Sequence, residues 1–418
     1  MLSVLRLALH AVAWPAWEGP DEPFHQARAE AWAARLAGST EAETVVPAAF
    51  VAAVTARPCG PDMVRSFGCS PFDGSGALFN TFRPVPPRGS ALPAVNYEAH
   101  QPPLWYVVAG FLVLPAKAAG ASAEASLLLL RLGSVLAVAW ALLGPLRRIA
   151  RRRGEELLAI VSIVLLLPGG SESLARASND GLVFLLSALV IERLDREAPG
   201  LILPALLAAG TLTKLTFLPV VVLSVVELWR RGARRFAVLA ALAASVVVPV
   251  QALRGWAWGG TYELNRTVAG LGESAPEAAA GLARSVYTFV KTTFWVGGWS
   301  FFRAPFFLVT AFFVLLASAV VLLRPRSPSE RLSSHLLALS AAAAGFLVLA
   351  VGNRRLFGTW GGLGGWYAWN WLPWLAVASD DLLEYRFPRA RPWLLAALVA
   401  FVLVSNAAFV VMALRLYG

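Results

Sequence analysis

Asp21 and Glu22 stand side by side just after the first apolar segment, in the string WEGPDEPFHQARAEAW. Carboxylates beside a hydrocarbon core are costly unless they have a partner or a task, so this pair is a functional candidate. What such a pair offers is proton acceptance or charge pairing. The order Asp-Glu-Pro predicts a helix start, with Asp21 as the N-cap and Pro23 in the first turn, and a helix running to about Leu36. Spacings of three and four place Asp21, His25 and Arg28 on one side of that helix, where a carboxylate, an imidazole and a guanidinium converge near the membrane surface. The plainer reading is that Asp21 only caps an amphipathic surface helix.

Three further strings carry groups of the same kind. NYEAHQPPLWYV, residues 96–107, supplies Glu98, His100 and Gln101 before Pro102 and Pro103; the double proline predicts that the preceding residues are held extended, presenting their side chains at the membrane face. LARASNDGLVFLL places Arg176, Asn179 and Asp180 at the entrance to an apolar run, where Asp180 is equally suited to capping. GTLTKLTFLP sets Lys214 between two short apolar runs; a cation there either snorkels or pairs with an anion. In TFWVGGWSFFRAP, Trp295, Trp299, Phe301 and Phe302 accompany Arg303, which suits an interfacial contact with a lipid chain and headgroup or an ordinary aromatic belt. The run from Trp360 through Gly364 and Gly365 to Tyr367 reads as an aromatic loop lining a groove, or as a plain turn.

The elements that must position these groups are membrane helices. Apolar residues make up 58% of the 418-residue chain and charged residues 15%, and the apolar runs are solid rather than alternating, which excludes an outer-membrane barrel. An all-α polytopic membrane protein with about 11–12 transmembrane helices follows. Apolar runs lie at 2–16, 104–119, 124–144, 155–172, 180–192, 199–213, 215–229, 235–253, 305–323, 332–350, 367–380 and 392–413. A secretory signal peptide is the competing reading of the first run. The net charge of +11 sits between the runs, at Arg147–Arg153, Arg230–Arg235 and Arg324–Arg331, and so reads as short cytoplasmic loops rather than as a nucleic-acid surface. All of these loops fall inside if 104–119, broken by Pro115 and Lys117, is a partial or in-plane helix. Residues 17–103 then form a large first extracytoplasmic loop within a module spanning 1–253, residues 254–304 an aromatic outer loop, and 305–418 the last helices. Cys59 and Cys69, ten residues apart in the first outer loop, suit a disulfide, which would stabilise by roughly 2–3 kcal/mol in the chain-entropy picture. Lysine is confined to Lys117, Lys214 and Lys291, a bias read as that of a GC-rich bacterial genome.

In their order along the first 230 or so residues, the Asp-Glu pair, HQPPLWY, SND-G-L and LTKLT resemble the GT-C membrane glycosyltransferases of bacteria, nearest to the polyprenyl-phosphate-sugar-dependent mannosyl- and aminoarabinose-transferase-like proteins. The resemblance implies a GT-C-like helical bundle in the bacterial plasma membrane. It also implies inverting transfer of a sugar from a polyprenyl-phosphate donor to a hydroxyl or amine of a glycan, lipid or protein acceptor on the extracytoplasmic face. Asp21 would be the general base, with Glu22 the second choice. His25, Arg28, Glu98, His100, Gln101, Arg176, Asn179, Asp180, Lys214, Arg303, Arg354 and Arg355 would bind substrate. The family often has a lysine before the double proline for the donor phosphate; Gln101 stands there, so the contact passes to Arg176, Lys214, Arg303, Arg354 or Arg355. A glycosidase needs two carboxyls, whereas a lipid phosphate leaves as a stable anion and needs one base and a cationic or divalent-metal clamp. The resemblance settles neither a cofactor nor the use of a divalent cation. The rival classes are a transporter or flippase of lipid-linked substrates and a silent membrane scaffold.

Overall fold

The computed structural model describes residues 1–17, 19, 21–39, 45–47, 50, 94–196, 200–258, 274–294, 345–347, 350–351, 354, 365–377 and 391–417. Cys59, Cys69, Trp295, Trp299, Phe301, Phe302, Arg303 and Arg355, the run 305–323 and most of 332–350 lie outside them.

The described chain is helical apart from a two-residue ladder. Helix α1 is Leu2–Ala13 and α2 is Glu22–Leu36. Strands β1 (Val45–Val46) and β2 (Ala94–Val95) pair antiparallel and close the first loop onto itself, in the register Val45 to Val95. A 3-10 turn, Tyr97–His100, leads into α3, Leu104–Ala118. The long helix α4, Ala123–Arg153, widens to a π-turn at Leu142–Leu146, where Pro145 has no N–H to continue the ladder. Then come α5 (Glu156–Val164), α6 (Pro168–Ala175), α7 (Asp180–Leu194), α8 (Ile202–Thr213), α9 (Leu218–Arg230), α10 (Arg234–Ser245), α11 (Val247–Trp258) and α12 (Ala275–Phe294). A 3-10 segment, Gly365–Trp371, and α13, Arg391–Tyr417, complete the description.

Three of the described helical stretches, 123–153, 234–251 and 392–411, are long and apolar enough to cross a membrane, and a fourth span forms if α5 and α6, bent by 84°, count as one. The helical architecture therefore holds, with three or four stretches that could cross a membrane by length and composition, while the expected number of full spans does not follow from the described residues. Runs that read as whole spans are shortened by their own breakers: α8 has 12 residues and α9 has 13, about 18–20 Å each against a core of about 30 Å. Helix α3, at 15 residues, is likewise shorter than a span, in keeping with a partial helix.

Helix α2 lies along α3 and buries Phe24, Ala27, Ala29 and Ala33 against Trp105, Tyr106, Ala109 and Val113. Gly110 permits this approach, since a Cβ there would stand 3.0 Å from the Ala33 backbone nitrogen. Helix α1 is built into the core through Leu7 and Ala11, beside Val135 and Val138 of α4 and Leu174 of α6. Helix α7 crosses α4 at Gly181, where a Cβ would meet the Ser134 carbonyl oxygen at 2.9 Å. The far end of α7 carries Glu192 and Asp195, which pair with Arg148, Arg152, Arg153 and Arg196 at 2.6–2.9 Å. The arginine-rich turn and Asp180 thus sit at opposite ends of a 15-residue helix.

Candidate functional site

Asp21 occupies the N-cap position of α2, but with φ of 67° and no side-chain capping bond. Its backbone oxygen receives the Phe24 and His25 amides instead, at 3.1 and 2.9 Å. The left-handed backbone turns the carboxylate away from the capping position that the sequence predicts for it, and Asp is one of the few side chains that tolerate this conformation.

Asp21 joins a cluster built from two segments. Oxygen or nitrogen atoms of Asp21, His25 and Glu98 lie within 4.8 Å of one another. His25 Nδ1 is 2.8 Å from the Tyr106 hydroxyl, which donates to Glu98 Oε2 at 3.3 Å. That direction makes His25 the Nδ1–H donor and leaves Nε2 with a lone pair. Glu98 is delivered by the 3-10 turn, whose start is fixed by Asn96: its Oδ1 accepts the Glu98 amide at 3.0 Å and its Nδ2 donates to the Phe24 carbonyl at 2.8 Å. The extended conformation expected before the double proline is therefore confined to Gln101, with φ −62° and ψ 154°, because proline restricts only the residue immediately before it while Asn96 nucleates the turn upstream. Arg28 donates to the Glu98 carbonyl at 2.7 Å and lies over the Tyr106 ring at 3.7 Å.

The ends of α6 and α8 and the start of α7 hold a second group within electrostatic reach of the first. Asp180, the first residue of α7, accepts from Lys214 Nζ at 2.5 Å, from Arg176 at 2.8 Å and from the Ser178 hydroxyl at 3.1 Å. It does not cap α7; Asn179 takes the N-cap position, and its Nδ2 reaches the Thr213 carbonyl at 3.4 Å. Lys214, in the extended break after α8, pairs with this anion, and its Nζ lies over the Tyr367 ring, 5.2 Å from the centroid.

The two groups share one field. Burial pushes Glu98 up to about 8, and the Asp21 carboxylate adds to the rise while Lys214, Arg28 and Arg176 oppose it. Burial, followed by the charges of Arg176 and Lys214, holds the His25 imidazole well below its ordinary range. Both shifts favour the uncharged forms, a protonated Glu98 and a neutral His25. Among the described residues, Asp21, His25 and Glu98 stand close enough together to hold a divalent cation, whose binding would have to displace the proton that burial favours on Glu98.

Glu22 is placed quite differently from its neighbour. It is fully buried and receives Arg131 Nε at 2.7 Å, Arg131 NH2 at 2.6 Å, the Ala177 amide at 3.0 Å and the Gly19 amide at 3.1 Å. Burial alone would raise its carboxyl, but the Arg131 charge and these hydrogen bonds outweigh it and hold Glu22 below its ordinary value. Arg131 also donates to the carbonyls of Ala11, Trp14 and Pro15, tying the end of α1 to the start of α2.

His100 closes the 3-10 turn, Gln101 follows it half-buried, and Arg354 is half-buried. Tyr106, Arg131 and Asn96 are the participants that the sequence motifs did not single out. Tyr106 could have been found, since it stands four residues after Pro102 in a string already chosen for its polar groups. Comparison with protein-family models, with curated proteins and with solved structures finds no match for this chain.

Proposed function

We propose that the protein is an integral membrane glycosyltransferase that moves a sugar from a polyprenyl-phosphate donor to a hydroxyl or amine acceptor at the extracytoplasmic face, with inversion and with Asp21 as general base. The observation that carries this reading is the electrostatic coupling of the Asp21–His25–Glu98 cluster to the Arg176–Asp180–Lys214 group. A proton acceptor beside buried cations is what transfer from a phosphate leaving group needs. Asp21 is preferred to Glu22 because it belongs to the cluster that shares the field of Arg176 and Lys214, whereas Glu22 is the ion-pair partner of Arg131. Glu98, kept in its acid form, spares Asp21 a second negative charge and so sets the two carboxyls to different tasks. Arg176 and Lys214 would turn from Asp180 toward the donor phosphate. If a divalent cation binds at Asp21, His25 and Glu98, it supplies further stabilisation of that phosphate.

The reading is tested by incubating membranes containing the protein with radiolabelled polyprenyl-phosphate sugars. Donor consumption and label in lipid, glycan or protein fractions are expected with the wild type and not with membranes lacking it. No consumption of any donor would remove the proposal. The 84° break between α5 and α6 favours the rival class, since discontinuous helices mark many transporters. Label crossing sealed vesicles with its lipid phosphate bond intact would select that class instead.

The same reading places residues 145–154 in the cytoplasm and 17–103 outside, consistent with the arginine pairs and Asp180 lying at opposite ends of α7. A cysteine introduced at Arg151, which is exposed, should stay unlabelled by an impermeant thiol reagent in intact cells and react once the membrane is opened. Labelling in intact cells would invert the topology.

A further inference from the structure

Lys214 is carried by a break between α8 and α9 and not by a helix interior. Its backbone is extended, with φ −158° and ψ 132°, and the turn that follows, Leu215–Phe217, is a three-residue 3-10 piece. A turn of this kind has poor internal hydrogen-bond geometry and takes its shape from what surrounds it. Locally, the Lys214 amide donates to the Gly210 carbonyl and the Phe217 amide to the Lys214 carbonyl, both at 3.0 Å. Two further ties come from a distant part of the chain. Asn370 Nδ2 donates to the Thr216 hydroxyl at 2.7 Å, and the Trp371 indole N–H donates to the Thr216 carbonyl at 2.9 Å. Asn370 is itself fixed, because its backbone carbonyl accepts from the Ser187 hydroxyl of α7 at 2.6 Å. Thr216, Asn370, Trp371 and Ser187 are all buried, so none of these bonds is exchanged for one to water without cost.

These ties close a circuit on α7. Asp180, its first residue, accepts the Lys214 ammonium at 2.5 Å; Ser187, farther along the same helix, holds Asn370, which holds Thr216 next to the break. One side of the circuit fixes the charge, and the other fixes the backbone that carries it. The same 365–371 segment brings the Tyr367 ring under the ammonium, 5.2 Å from Nζ to the centroid. We infer that Asn370, together with Trp371, is a positioning residue for Lys214, holding the break in the shape that sets the ammonium beside Asp180 and over Tyr367. What this positioning serves rests on the proposed function. As the bond from the anomeric carbon to the phosphate oxygen breaks, its electron pair stays on that oxygen, the acceptor oxygen takes the carbon, and the acceptor proton passes to Asp21. The lipid phosphate goes from one negative charge to two, so a cation held in place acts more strongly on the transition state than on the bound donor. A displaced Lys214 therefore lowers kcat more than it raises the donor KM.

The test removes the tie and keeps the packing. Asn370→Leu combined with Thr216→Val takes away donor and acceptor together and leaves apolar groups of similar shape, a change that costs a fold little. Because Lys117, Lys214 and Lys291 are the lysines of the chain, full-length protein labelled with a nitrogen isotope at the lysine Nζ gives a simple magnetic-resonance spectrum, in which Lys214 is the signal absent from Lys214→Arg. In the double variant that signal should shift or broaden, while the signal of Lys117, which pairs with Glu30, stays in place. With a labelled polyprenyl-phosphate sugar as donor, kcat should fall about tenfold to a hundredfold, the effect of misplacing a group by about 1 Å, and the donor KM should change by less than about threefold. Adding Trp371→Phe, which keeps a ring and removes the N–H, should deepen both changes. Thr216→Ser, which keeps an oxygen for Asn370, should recover most of the signal and of kcat that Thr216→Val loses, and this pair decides the matter even if the double variant does not fold. A folded double variant with an unmoved Lys214 signal overturns the inference, whatever its turnover. A moved signal with unchanged kcat overturns it as well, since Lys214 would then be held for no catalytic purpose. A wild type that turns over no donor overturns the transferase reading and with it the role of Asn370 in transfer, and the spectra then report the tie by itself.

Discussion

Asp21→Asn should leave the protein folded and inserted while lowering sugar transfer by about 10²–10⁴, the usual contribution of a positioned general base. The expected separation of fold from activity comes from the conformation of this residue. Its φ of 67° is one that asparagine adopts as readily as aspartate, and the N-terminus of α2 is closed by the Asp21 backbone oxygen, not by the side chain. The amide has the same shape, so the structural loss is small, and what disappears is the ability to take a proton. The measurement is donor turnover by purified wild-type and variant protein in lipid, together with thermal unfolding of both. Equal turnover would show that Asp21 is structural; Glu98→Gln is the next variant to make, since Glu98 is the other carboxyl of the cluster. If neither change matters, the transferase reading gives way to the transporter or scaffold classes.

Glu22 should respond in the opposite sense, through stability. Removing one member of a buried, hydrogen-bonded ion pair costs about 3–5 kcal/mol, because the other charge is left without its partner. Glu22→Gln and Arg131→Met are each expected to lose that much in denaturant unfolding of the purified protein, and to fall in yield. The double change Glu22→Leu with Arg131→Met should recover part of the loss, although the carbonyls of Ala11, Trp14 and Pro15 would still lack their donor. The acid dependence has a definite sign. Glu22 is held below its unfolded value of 4.5, so its stabilisation is present above that value and is lost as pH falls through the lower, folded one. Wild type should therefore weaken in acid below about pH 4.5 more steeply than the double variant does. A Glu22→Gln protein as stable as wild type, with turnover reduced as far as by Asp21→Asn, would reverse the roles assigned to the two carboxylates.

Much of the scaffold is legible along the chain because it depends on local chemistry. Solid apolar runs specify helices in a membrane class, and Asp-Glu-Pro starts α2 at Glu22 and lets it run to Leu36. The pairing of Lys214 with an anion follows from the cost of a cation between apolar runs, and Asp180 is that anion. Helix length was less legible: a hydropathy window passes over the breaks at Lys214 and between Val164 and Pro168, where the backbone bends or extends. What the chain could not disclose is which of two adjacent carboxylates pairs with Arg131. Asp21 and Glu22 have nearly the same chemistry, and their fates diverge because a left-handed residue sends one toward Glu98 while the helix sends the other toward Arg131, 109 positions away. In LLLLRLGS, Arg131 looks like any cation at the edge of an apolar run. The helical class and the start of α2 were thus determined by the sequence itself, because hydropathy and the place of proline in a first turn act within a few residues. The partners of the buried charges were decided only by the tertiary structure, because electrostatic pairing inside a low-dielectric interior depends on distance in space and not along the chain.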